Sequence, residues 1–163
     1  MSEPIIAVSE DVPVTRDQIW EIITNPRKLH GLRFPEIFYE GFDTTHLQVG
    51  SKTWSSQFHS EKKFPRYIVE YEEPHLFSLG ASPSEWDKRF ELVAIREGAE
   101  PLTQIRFTRK FRGIDLMERI FMWDLFGTKS QKTIQGLAQD TMDNLVEACG
   151  NVAAGRPDGI FTT

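Results

Sequence analysis

Between residues 34 and 113 the chain divides into short runs, each closed by a turn signal and none separated from the next by a helical stretch. The runs are Glu36–Phe42, Lys52–His59, Arg66–Glu72, Leu76–Ala81, Trp86–Ile95 and Thr103–Arg112. Val49-Gly50, Glu61-Lys62-Lys63, Glu73-Pro74, Ser82-Pro83 and Gly98-Ala99-Glu100-Pro101 stand between them. Gly and Pro punctuate strands because one admits positive φ and the other cannot donate to a ladder. Successive short strands without helices between them predict an antiparallel meander.

The flanks differ. Ile6, Val8, Val12 and Val14 share one face of an alternating N-terminal segment, as a half-buried strand requires. Thr15-Arg-Asp-Gln18 has the form of a capping box, and Ile19, Trp20, Ile22 and Ile23 follow at helical spacing. Asn25-Pro26 ends that helix, since a residue before proline avoids the α region. Arg27 to Leu32 would form one further short turn. From Leu116 to Cys149 the period becomes helical, with Ile120, Trp123, Ile134, Leu137, Ala138, Thr141, Leu145 and Ala148 on one broad face. Gly127 and Gly136 weaken it, and a break is expected near Gly127. The expected fold is α+β: one domain over residues 1–149, with a loosely held tail over residues 150–163.

Composition limits function. The 163 residues carry a net charge of −5, which disfavours nucleic acid and anionic membrane as partners. The longest apolar run, Ile120 to Phe126, falls well short of the roughly 20 residues a membrane span needs. A single cysteine, Cys149, excludes an internal disulfide and suits a reducing cytoplasm. The four histidines, His30, His46, His59 and His75, have no metal-ligand spacing, so no metal or cofactor is expected. Twelve Phe and four Trp supply enough large rings for a roomy apolar interior.

Several stretches resemble the SRPBCC superfamily, which includes START domains, the birch-pollen allergens and bacterial polyketide cyclase/dehydrase-like proteins. Val14-Thr-Arg-Asp-Gln-Ile-Trp20 and Thr24-Asn-Pro26 resemble its first helix start and stop. Val49-Gly-Ser51 resembles a strand opening, Ile68-Val-Glu-Tyr-Glu-Glu-Pro74 a hairpin signal, and Asp143-Asn-Leu-Val146 the end of the last helix. The likeness spans residues 5 to 149. The family's usual tryptophan after the Asp-Pro stop is replaced by His30-Gly-Leu-Arg-Phe34. The resemblance implies the helix-grip fold, a seven-stranded curved antiparallel sheet wrapped around a long C-terminal helix, with two short helices between strands 1 and 2. Its motifs carry no catalytic group, so it implies a cavity without naming a reaction.

Strand parity then selects residues. Three charges, Glu10, Lys88 and Arg109, interrupt apolar rows. Under the pairing the resemblance implies, they would meet inside, with Glu10 and Arg109 forming a partly buried pair that orients a polar ligand head. The competing reading turns each charge to solvent through a bulge or a strand end. Trp54, Phe58, Tyr67, Val69, Tyr71, Trp86, Phe90, Phe107, Arg109, Ile134, Leu137 and Thr141 are the expected ligand-binding residues. The expected function is binding of a small hydrophobic molecule. A cyclase or dehydratase using Glu10, His59 or Tyr67 as acid or base is the enzymatic alternative. The aromatic segment over residues 117–126 has apolar residues all round, which suits a homodimer contact or a partner-binding module.

Overall fold

The computed structural model describes residues 5–24, 37–40, 47–57, 63–110 and 128–156, and for residues 37–40, 55–57, 63, 64, 128–134 and 137 it describes the backbone alone. In chain order the elements are β1 (Ile5–Val12), α1 (Arg16–Thr24), β2 (Ile37–Glu40), β3 (Lys52–Gln57), β4 (Lys63–Glu72), β5 (Leu76–Gly80), β6 (Lys88–Arg96), β7 (Leu102–Lys110) and α2 (Thr128–Ala153). The strands form one open antiparallel sheet in the order β1-β7-β6-β5-β4-β3-β2. The meander is therefore present, and β1 joins it at the free edge of β7. The sequence reading gives seven comparable strands. The structure has six of five residues or more, with β2, only four residues long, at the far edge. Among the described residues, two helices, one of them C-terminal, complete an α+β arrangement that broadly fits a helix-grip fold. The second short helix expected near Arg27–Leu32 lies outside the described residues, as does the expected break near Gly127.

The capping box forms as read. Thr15 N–H donates to Gln18 Oε1 at 2.9 Å, and Gln18 N–H donates to Thr15 Oγ1 at 3.2 Å. These bonds satisfy donors that the first helical turn leaves open. Ile19, Trp20, Ile22 and Ile23 are buried on the face turned to the sheet, and the Trp20 ring stands edge-on to Tyr71 and Phe77 at 5.2 and 6.0 Å.

Helix α2 buries Ala138, Thr141, Met142, Leu145, Ala148 and Cys149, the stripe that a 3.6-residue period predicts. It packs chiefly on β1 and more lightly on β7 and α1. The helix does not stop at Cys149 but runs through Gly150 to Ala153. Its end is set by Gly155 at φ 73°. There Gly155 N–H reaches the Val152 carbonyl at 3.0 Å and Arg156 N–H reaches that of Asn151 at 2.8 Å. This is the paired bonding of a Schellman stop, which needs a left-handed residue that glycine supplies without a Cβ clash.

Gly80, at the end of β5, meets a different constraint. A Cβ there would collide with the Glu85 carbonyl oxygen, because the Ser82–Glu85 bridge folds back over it. Gly80→Ala is expected to lower stability by about 1–3 kcal/mol, the usual cost of overpacking, measured as a shift in urea midpoint. Cys149 is fully buried, and desolvation pushes its thiol from 9.0 up to about 12. The native state then holds that proton longer than the unfolded chain does. The resulting stability is complete below pH 9 and is lost as pH rises toward 12. Melting curves of the wild type and Cys149→Ala should show this alkaline loss shrinking in the variant.

Candidate ligand-binding face

The face of the sheet turned toward α1 and α2 is fixed by register. One row across five strands is Val8, Phe107, Phe90, Phe77 and Tyr71. Phe77, Phe90 and Phe107 are fully buried. The Phe90 and Phe107 rings lie 4.8 Å apart, and those of Tyr71 and Phe77 lie 6.3 Å apart. This is an aromatic band. The adjacent row is Ile6, Arg109, Lys88, Leu79 and Ile68. Two cations therefore face each other on neighbouring strands beside the band. Lys88 is only 3% exposed, and Arg109 is half-buried. Both make contacts within the protein. A buried ammonium persists only with such compensation.

A third cation lies on the same face. Arg66, 9% exposed, grips Asp87 through both terminal nitrogens: Nη1 donates to Oδ2 at 2.7 Å, and Nη2 donates to Oδ1. The fork of a guanidinium matches the two oxygens of a carboxylate, so this pair is directional as well as electrostatic. Asp87 is itself held by the backbone, its N–H on the Leu79 carbonyl and its own carbonyl accepting from Lys110 N–H. The pair joins β4 to the start of β6. It is absent from the sequence expectations, because only the register shows that Arg66 and Asp87 approach each other.

Of the expected ligand-binding residues, Tyr71, Phe90, Phe107 and Arg109 lie together on this face, and Thr141 is buried on α2. Ile134 and Leu137 are on α2 with side chains outside the described residues, and Phe58 and His59 are also outside them. The register corrects three placements. Trp54 and Tyr67 lie on the opposite face with Lys52, which pairs with Tyr67 in register. The Lys52 ammonium sits 4.2 Å from the Trp54 ring centroid and 5.8 Å from that of Tyr67. Trp54 is 39% exposed. The cause is a bulge between Ile68 and Glu70, where Val69 has no partner in the β5 ladder. An extra residue exchanges the faces of everything beyond it, so Tyr67 and Tyr71 do not share a side. Trp86 precedes β6 and turns outward, with the Lys110 ammonium 3.6 Å and the Arg89 guanidinium 5.6 Å from its ring.

Glu10 is corrected as well. It pairs with Ile105, whereas Arg109 pairs with Ile6, four positions along β1. That offset is roughly 13 Å along a strand, beyond the joint reach of the two side chains. Glu10 is exposed. The expected Glu10–Arg109 pair does not form, but Lys88 and Arg109 do meet. Glu10 and Tyr67 also stand on strands four places apart in the sheet and do not assemble an acid–base site.

Among the described residues, two grooves lie at the end of the sheet away from Lys88 and Arg109. The larger, about 790 Å³, is an open groove lined by Arg16, Glu72, His75 and residues 91–95 and 97. Among the described residues no group of three or more His, Cys, Asp and Glu is placed to hold a metal, and no helix is long and apolar enough to cross a membrane. The aromatic segment over residues 117–126 lies outside the described residues.

No family model and no curated protein matches the chain. Solved structures do. A protein from Cytophaga hutchinsonii is similar with a TM-score of 0.61 at 14% identity, covering 94% of this chain and 99% of its own. A conserved protein from Geobacillus kaustophilus gives 0.55 at 12%, covering 89% and 94%. A protein encoded in the dynemicin biosynthetic locus gives 0.56 at 16%, covering 94% of this chain and 48% of its own. The chain thus spans about half the length of that last relative. At these identities the likeness establishes the fold and nothing finer.

Breaking the Arg66–Asp87 pair should be costly. Asp87→Asn is expected to destabilise by about 3 kcal/mol in urea unfolding, and Arg66→Met with Asp87→Leu should recover most of that loss, because a buried pair is worth less than a buried orphan charge costs.

Proposed function

We propose that the chain binds a small hydrophobic molecule, of lipid, aromatic or polyketide-like character, between the inner face of the sheet and the C-terminal helix. The reading places the protein among helix-grip proteins of the SRPBCC superfamily, in their polyketide cyclase/dehydrase-like branch. The observation that carries it is the side-by-side arrangement of the aromatic band and the Arg109–Lys88 row on one buried face. Rings supply apolar area at about 25 cal/mol per Å² removed from water. The cations supply a polar pole that sets which end of the ligand lies there. A Lys ammonium has three donors and an Arg guanidinium five, enough to serve the protein and an anionic ligand head together.

Anilinonaphthalene sulfonate, an anionic aromatic fluorophore, is a direct probe, alongside native mass spectrometry of the purified protein. The proposal expects a co-purifying small-molecule mass and saturable dye binding at one site, weakened about tenfold (1.4 kcal/mol) by Arg109→Met with an unchanged circular dichroism spectrum. A protein that carries no such mass and binds the dye without saturation would overturn it.

A further inference from the structure

The groove at the opposite end of the sheet arises from unequal hairpins. The β4–β5 hairpin turns at Glu73–His75, and its last pair with β6 is Leu76 with Glu91. The Leu92 N–H still reaches the His75 carbonyl at 2.8 Å. Beyond that point β6 continues through Arg96, paired with β7 on its other side except at Ile95, which bulges out of the ladder. Backbone groups in an antiparallel strand alternate sides, so the N–H and C=O of Ala94 point the same way as those of Leu92, into the groove. Val93 and Ile95, 48% and 51% exposed, stand beside it. The groove thus has a strand edge for its wall.

Charge surrounds this edge unevenly. Glu72, Glu91 and Glu97 line the groove, against one guanidinium and one imidazole, with Glu91 also engaged by Arg89 and Arg106. Arg16 spans the mouth: Nη1 donates to His75 Nδ1 at 2.6 Å, and Nη2 donates to Glu97 Oε1 at 3.2 Å. The contact ties the start of α1 to the β4–β5 turn and to the end of β6, and so holds the groove walls in place.

We propose that this groove is a docking site for an extended basic peptide segment, which adds as a short strand beside residues 92–94 of β6, up to the bulge at Ile95. Each part of the site selects one property. The strand edge selects an extended backbone, because its open donors and acceptors repeat only for a β partner. Val93 and Ile95 select apolar side chains. Glu72 and Glu97 select Lys or Arg near them, through complementarity that also speeds encounter. The site is separate from the ligand-binding face and does not depend on it.

The test uses the full chain labelled with ¹⁵N and a capped decapeptide alternating Lys and Val, with an alternating Glu and Val decapeptide for comparison. The proposal expects saturable shifts of the Leu92–Ala94 amides with the Lys peptide and at least tenfold weaker binding of the Glu peptide. The doubly substituted Glu72→Lys, Glu97→Lys chain should also bind the Lys peptide at least tenfold more weakly, and Ile95→Asp, which leaves the acidic residues in place, should weaken it too. Equal binding of both peptides, shifts centred elsewhere, or no saturable binding would overturn the proposal. So would concentration-dependent dimerisation through the same amides in the free protein, since a second copy would then be the occupant.

Discussion

The pairing of β7 with strands on both of its edges fixes most of what matters in this protein. Side chains alternate along a strand, so a slip of one residue would send Ile105, Phe107 and Arg109 to solvent and bring Gln104, Arg106 and Thr108 inward. Phe107 locks the register from both sides. It faces Val8 on β1 and Phe90 on β6, and the two phenyl rings are close enough to gain from offset packing beyond their burial. Thr103 adds a polar lock, its hydroxyl donating to the Val14 carbonyl at 2.7 Å where the chain leaves β1 for α1. The same ladder that builds the core therefore places Arg109 against Lys88.

That arrangement has an electrostatic logic. Like charges opposite each other on adjacent strands repel, and burial makes the repulsion stronger by lowering the local dielectric. Lys88 and Arg109 each have a partner within the protein that offsets this repulsion, and Asp87 answers Arg66 at the point where β6 begins. On the outer face the chain handles charge differently. Glu70, Arg89, Glu91 and Arg106 interleave across β4, β6 and β7 in alternating sign, half in water, where each pair contributes little by itself.

Much of the fold is legible in the sequence. The capping box at Thr15, the alternation of β1, the turn signals at Val49-Gly50, Glu73-Pro74, Ser82-Pro83 and Gly98–Pro101, and the helical stripe from Ala138 to Ala148 each express a local rule, and each appears where that rule puts it. The candidate site is less legible, because its residues depend on which strand faces which and at what offset. Parity counted from one end of β4 fails after Val69, which puts Tyr67 on the wrong side of the reading. Parity counted for β6 fails before Lys88, where the chain is not yet a strand and Trp86 is free to turn outward. Glu10 has inward parity and stays exposed. It sits on an edge strand, where water can reach a carboxylate. No local pattern announces the Arg66–Asp87 pair, whose partners stand 21 residues apart.

Val69 has a meaning for kinship as well as for geometry. The ladder between β4 and β5 runs Tyr67 with Gly80, Ile68 with Leu79, Glu70 with Ser78 and Tyr71 with Phe77, so it is continuous if Val69 is skipped. A relative one residue shorter at this point would keep every inward side chain. At identities of 11–16% an alignment scored on letters alone would spread that missing residue along the hairpin and pair interior positions with surface ones. For such a relative, a gap placed at Val69 would restore the correspondence. Ancestry in this fold is thus traced through the hydrogen-bond ladder more securely than through the order of residues.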